Sequence, residues 1–191
     1  MRNAKLLLGI LFVLCSSGLS LGQMAAPPPA KTPGDAINAV LTIANGEFVG
    51  AADAMPEDKY SFAPTAAGEF KGVRTFAQQV KHVAAVNYIF GATILNEKPP
   101  VDVGGESGPD SVKSKAEIMQ FLKDSFAYLH KAVTSINDKN ALDEVSLFGM
   151  KMSKLSVGTF STAHPFDHYG QMVEYLRMNS IIPPASRPQS K

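Results

Sequence analysis

Four times along this chain an apolar periodicity of three and four residues sets in directly behind a serine or threonine, and that repetition decides the fold class. Thr32 precedes Pro33 and the series Ile37, Leu41, Ala44, Phe48, Ala52 and Met55. Thr75, with Gln78 three residues on, precedes Phe76, Val80, Val83, Val86, Phe90 and Ile94. Ser114, with Glu117, precedes Ile118, Phe121, Leu122, Ser125, Leu129, Ala132, Val133 and Ile136, and Ser153 opens the last stretch. A hydroxyl at such a position accepts from N–H groups that the first helical turn leaves bare, and a Glu or Gln three residues later bonds back to the cap. The three- and four-residue spacing gathers the apolar side chains on one face. Helices are therefore expected over about 33–55, 75–95, 115–136 and 154–179.

Breakers fall between these stretches. Pro56 stops the first, which Gly46 weakens by about 1 kcal/mol relative to Ala. Pro99, Pro100, Gly104, Gly105, Gly108 and Pro109 separate the second from the third, and Asn137 to Asn140 close the third. Asn179 is expected to end the last in a left-handed conformation, with Pro183 and Pro184 preventing continuation. Pro165 falls inside that last helix and cannot bond to Ser161, so a local kink is expected there. Gly170 reads as a position of close helix approach. The connection from Glu57 to Arg74 carries Tyr60, Phe62 and Phe70 and is expected to pack over a core, while Glu144 to Phe148 reads as a short extended piece. Four amphipathic helices without a convincing strand pattern make an all-α four-helix bundle; the long connections leave its topology open.

The remaining sequence sets the domain organisation. Arg2 and Lys5 precede the apolar run Leu6 to Leu14, and small residues lead to Ser20-Leu21-Gly22, the three-part pattern of a secretory signal peptide over residues 1–22. The run is shorter than the about 20 residues a spanning helix needs. Leu14 is too bulky for a lipoprotein signal at Cys15. A Pro-rich linker follows over 23–33, then the helical domain over 34–184 and a tail over 185–191. Export of the mature chain to the periplasm or outside is expected, with no membrane attachment afterwards. Cleavage would also remove the single cysteine, leaving no thiol for disulfide, catalysis or metal binding. A chain of 191 residues, 45% apolar and 18% charged, suits one domain with a full core. A formal charge of +1 without a basic cluster argues against a nucleic-acid partner.

The chemistry lies in the histidines. His164 and His168 are four residues apart in the fourth helix, so both imidazoles leave one face and can share a metal ion. An ion held for chemistry usually takes a third protein ligand. His82 sits at the edge of the apolar face of the second helix, whereas His130 shares a polar line with Lys123, Thr134 and Asn137 and reads as a surface residue. Spacing alone leaves the choice between them open, and a pair of this spacing also arises by chance. Asp167 reads as a solvated carboxylate, with the role of orienting an imidazole as the alternative. Asn87 and Tyr88, beyond His82, are candidates for lining a pocket, with a satisfied polar core group as the other reading of Asn87.

Three segments, taken together, resemble the DinB/YfiT-like superfamily, a family of metalloenzymes unrelated to the polymerase of similar name. They are Met55 to Pro64, Thr75 to Ala84, and His164-Pro165-Phe166-Asp167-His168-Tyr169-Gly170-Gln171 through Tyr175-Leu176-Arg177 to Pro183-Pro184. The resemblance covers roughly residues 34–187. It implies an up-down-down-up bundle and one divalent metal ion held by His82, His164 and His168, the ion being Zn, Ni or Fe. Pro165 between the paired histidines, and Ser180 where many relatives place Gly, depart from the family pattern.

Three classes of function follow. The first is a metal-dependent enzyme; hydrolysis of a small molecule ranks ahead of thiol S-transfer, which characterised relatives perform, because thiol cofactors are scarce outside the reducing compartment. The second is a metal-binding protein without catalysis, and the third an interaction module. A small molecule is the expected partner, and a homodimer stays open.

Overall fold

The computed structural model describes residues 29–65 and 72–188. The segment expected as a signal, the first part of the Pro-rich linker, Phe70 and the last three residues of the tail lie outside them. Four helices carry the fold: α1 (Pro33–Ala54), α2 (Phe76–Leu95), α3 (Lys115–Thr134) and α4 (Lys154–Met178). All four begin where the sequence places them. Thr32, Thr75 and Ser114 form capping boxes with Asp35, Gln78 and Glu117, and the Ser153 hydroxyl accepts from Ser156 N–H at 3.1 Å.

Direction follows from which side chains meet. Gly34 N–H donates to Ile136 O at 3.0 Å and Asn45 reaches His130, so α1 and α3 are antiparallel. Asn87 bonds to Ser125 and Gly91 sits on Tyr128, so α2 and α3 run parallel. Gln79 meets Gln171 while Phe90 meets Phe160, which makes α2 and α4 antiparallel. Packing of α1 on α3 and α4, and of α2 on the same two helices, puts α1 and α2 on one diagonal and α3 and α4 on the other. The order is up-down-down-up.

Inside lie Leu41, Phe48, Phe76, Phe90, Ile118, Leu122, Phe126, Leu129 and Leu176, all essentially without solvent exposure. Two glycines set the helix spacing. A Cβ on Gly34 would strike the Val133 and Ile136 carbonyl oxygens, and one on Gly91 would lie 2.6 Å from the Tyr128 ring. Gly170 does not serve this purpose, because a Cβ there would meet nothing within 4 Å. Tyr60 does pack over the core as expected of its connection. Its ring stands edge-on to Phe76 and its hydroxyl donates to Ala52 O at 2.7 Å.

The fourth helix runs unbroken through Pro165. Its end differs from expectation in one residue. Asn179 has φ −97°, and Ser180, at φ 60°, takes the left-handed position. The Ser180 and Ile181 N–H groups then donate to Arg177 O and Leu176 O, each at 2.9 Å, which closes the helix as a Schellman turn. Beyond it the tail begins with a 3-10 turn, Pro184–Ser186, laid against Gly50 of α1.

The extended piece before α4 is half of a hairpin. Strand β1 (Glu144–Leu147) pairs antiparallel with β2 (Met150–Ser153) across Phe148 and Gly149, both at positive φ. Val145 and Leu147 point inward, which made the first strand readable. Met150 to Ser153 alternates apolar and polar residues over only four positions, and none of them is buried, so its pairing depends on the turn and not on a buried face.

Candidate metal centre

α2 and α4 bring three histidines to one point. His82 and His168 are buried, His164 is half-buried, and one ring nitrogen from each lies within 4.8 Å of the others. Helix geometry supplies the pair from α4, and the antiparallel crossing of α2 supplies His82 opposite them. Ring centroids are 4.6–5.1 Å apart and the planes tilted, so the nitrogens, not the ring faces, converge.

Two of the rings are held from behind. His82 Nδ1 is 2.6 Å from the carbonyl oxygen of Glu106, in the 3-10 turn Gly105–Ser107. A carbonyl can only accept, so the proton sits on Nδ1 and Nε2 is a bare lone pair. His168 Nδ1 donates to Gln79 Oε1 at 2.8 Å, which leaves its Nε2 bare as well. The chain of bonds continues: Gln79 Nε2 donates to Gln171 Oε1 at 2.8 Å, and Gln171 Nε2 to Asp167 Oδ2 at 3.2 Å. Asp167 is thus solvent-facing, as expected, yet linked through two amides to the imidazole. His164 Nε2 approaches His82 Nε2 at 3.2 Å, and its buried Nδ1 has no partner among the described residues.

The electrostatics keep all three rings neutral. Burial lowers the His82 pKa below its ordinary value. Burial first, then the neighbouring His168 and His82, brings His164 down to about 3. His168 falls to about 4, again through burial first and His82 second, with Asp167 opposing. A cluster of neutral imidazoles whose ring nitrogens converge is a donor set for a borderline transition metal ion.

Beside the cluster lies a cleft of about 250 Å³ lined by His82, Val86, Phe90, Glu106, Phe148, Met150, Phe160 and His164. Arg74 lies near enough to oppose a positive charge on any of the three histidines.

Other candidates go elsewhere. His130 is not a surface group: it is half-buried against α1, with Nδ1 2.6 Å from Asn38 Oδ1 and Nε2 3.2 Å from Asn45 Nδ2. The polar line it shares on α3 faces the asparagines of α1, and both of its nitrogens are occupied. Asn87 and Tyr88 face α3, where Asn87 Nδ2 donates to Ser125 Oγ at 3.2 Å and Tyr88 packs on Phe121 and Tyr128. Neither lines the cleft. Sequence reading did not single out Gln79, although it stands three residues before His82 on the same face. Glu106 gave no signal at all, because its contribution to His82 is a backbone carbonyl from a loop.

The family model of the DinB superfamily matches residues 41–172, more than half of the chain. Among solved structures, a DinB-like protein from Bacillus cereus ATCC 10987 superposes with a TM-score of 0.57 at 18% identity, covering 78% of this chain and 95% of its own. No curated protein matches the sequence. With four helices arranged as described and a family match that spans α2 and both α4 histidines, the chain belongs to the DinB superfamily.

Proposed function

We propose that His82, His164 and His168 hold one divalent transition metal ion, Zn, Ni or Fe, and that the protein uses it to hydrolyse a small molecule. The observation that carries this reading is the convergence of three neutral imidazoles, within 4.8 Å, at the wall of an open cleft. The donor set fits such an ion. Two rings are fixed through Nδ1 in the manner that orients metal-bound histidines, and three nitrogen ligands without a thiolate suit a catalytic ion better than a structural one. Bound there, the ion would supply Lewis acidity toward an oxygen of substrate or water.

The chain's own residues would do the rest. Phe90 and Val86, both buried, would exclude water from one side of the cleft, which strengthens electrostatic interactions inside it. Glu106 is the only carboxylate lining the cleft among the described residues and would accept a proton from an attacking water. Its backbone carbonyl orients His82 and its carboxylate lies near enough to favour a positive charge on that ring, so one loop residue would serve both purposes. Secretion by way of residues 1–22 belongs to the same reading and supports hydrolysis over thiol transfer.

A screen of ester, amide, phosphoester and thiol-transfer substrates with metal-loaded protein tests the reaction class. A hydrolytic rate is expected that His164→Ala removes, and that Glu106→Gln lowers by about 10²-fold or more while the ion stays bound. Turnover only with a thiol co-substrate would replace hydrolysis by transfer, and no turnover would leave a binding protein.

A further inference from the structure

We propose that the hairpin tip, Phe148 and Met150, together with Phe160, forms a specificity wall that selects substrates carrying an aromatic or branched apolar group next to their polar, reacting end. The inference deepens the metal-enzyme reading and rests on it for the position of the reacting end.

Three observations lead to it. The first is composition: apart from His82, His164 and Glu106, the cleft is lined by Val86, Phe90, Phe148, Met150 and Phe160. The second is exposure. Phe148, Met150 and Phe160 are 50%, 52% and 40% exposed, so three large apolar side chains stay in contact with solvent around the same opening. Folding does not account for that arrangement, since the core closes without them. Its volume of about 250 Å³ suits a phenyl-sized group with a short polar head, not an extended polymer.

The third observation is strain. Phe148 is the first residue of a two-residue hairpin turn and has φ 49°, with Gly149 following at φ 79°. Turns with positive φ at both positions favour Asn-Gly or Asp-Gly, because a bulky side chain there crowds its own carbonyl. A phenylalanine in that conformation is disfavoured relative to a residue suited to it. Asn would relieve the turn but remove the ring from the cleft. The chain therefore keeps a strained residue where its side chain lines the space next to two metal-directed histidines, as is typical of functional sites.

The test compares two chelators with the same head: benzohydroxamate, whose ring would occupy the cleft, and acetohydroxamate, which has only a methyl group. Binding is read from backbone amide NMR shifts of isotope-labelled protein, with and without added Zn. Benzohydroxamate is expected to shift the amides of Phe148, Gly149, Met150 and Phe160 even without metal. With Zn it should bind about tenfold or more tightly than acetohydroxamate, beyond the difference in their affinities for free Zn. Phe148→Asn should raise Tm and erase most of that preference with Zn content unchanged; Phe160→Ala is a second variant outside the hairpin and should do the same without raising Tm. Equal binding of the two chelators, shifts confined to other surfaces, or a preference that survives both substitutions would overturn the proposal. If the ring-dependent shifts occur but Zn strengthens neither ligand, the cleft stands and the metal reading fails.

Discussion

Gln79 shows how much of the site depends on residues that carry no chemistry of their own. Its Oε1 fixes the tautomer of His168, and its amide is fixed in turn by Gln171. Gln79→Ala should lower Zn affinity by about 10–100-fold while leaving the helical CD signal unchanged, measured by competition with a chromophoric chelator. Unchanged affinity would reduce Gln79 to a packing residue. The histidines themselves make a second prediction at this scale. Their folded pKa values lie below the ordinary value near 6.5, so in acid the unfolded chain takes up protons that the folded chain refuses. Stability from these groups is complete above about pH 6.5 and is lost as pH falls toward about 4 and 3, the folded values of His168 and His164. Denaturant melts of metal-free protein should fall more steeply over that window in the wild type than in His164→Ala; parallel curves would contradict the assignment. Legibility differed sharply among these residues. The i,i+4 spacing of His164 and His168 is visible in any helical reading. His82 and His130 looked alike on spacing, because what separates them is the helix each one faces: α4 with its histidines, or α1 with Asn38 and Asn45.

Helix ends were the most readable feature at the scale of elements, since capping is local chemistry. All four N-caps were identifiable from hydroxyl residues, and helix bounds came out within a few residues. The C-terminal end of α4 was misplaced by one position because both Asn179 and Ser180 are small and polar, and the choice is made by where Ile181 must lie to reach Leu176 O. Ser180 occupies the left-handed position that glycine prefers, so Ser180→Gly should stabilise the protein by about 0.5–1 kcal/mol, seen as a higher Tm. A loss of stability would mean that the Ser180 side chain contributes more than its backbone strain costs. Other parts of this scale were not legible. The second hairpin strand is only four residues long with none of them buried, and α1 receives its C-terminal cation from another helix: Lys115 Nζ donates to Asp53 O at 2.7 Å and Met55 O at 2.9 Å.

For the whole molecule, periodicity determined that four helices form one bundle, but direction and neighbours had to come from the resemblance. The reason is physical. Short loops force antiparallel neighbours, whereas connections as long as 96–114 let α2 and α3 run parallel with Gly91 against Tyr128. The apolar core runs from Leu41 and Phe48 through Phe90 to Phe126 and Leu176 and draws on all four helices. Metal-free protein should therefore be folded and melt cooperatively, with metal at a hundredfold excess over Kd adding about 2.7 kcal/mol. An unfolded apo form would make the ion structural.

The most direct test of the central claim is metal analysis of the purified protein and its four single His→Ala variants, with CD to confirm folding. One divalent ion per chain is expected in the wild type and in His130→Ala, and none in folded His82→Ala, His164→Ala or His168→Ala. An ion that survives all three of those substitutions, or one that His130→Ala removes while His82→Ala leaves it in place, would contradict the account.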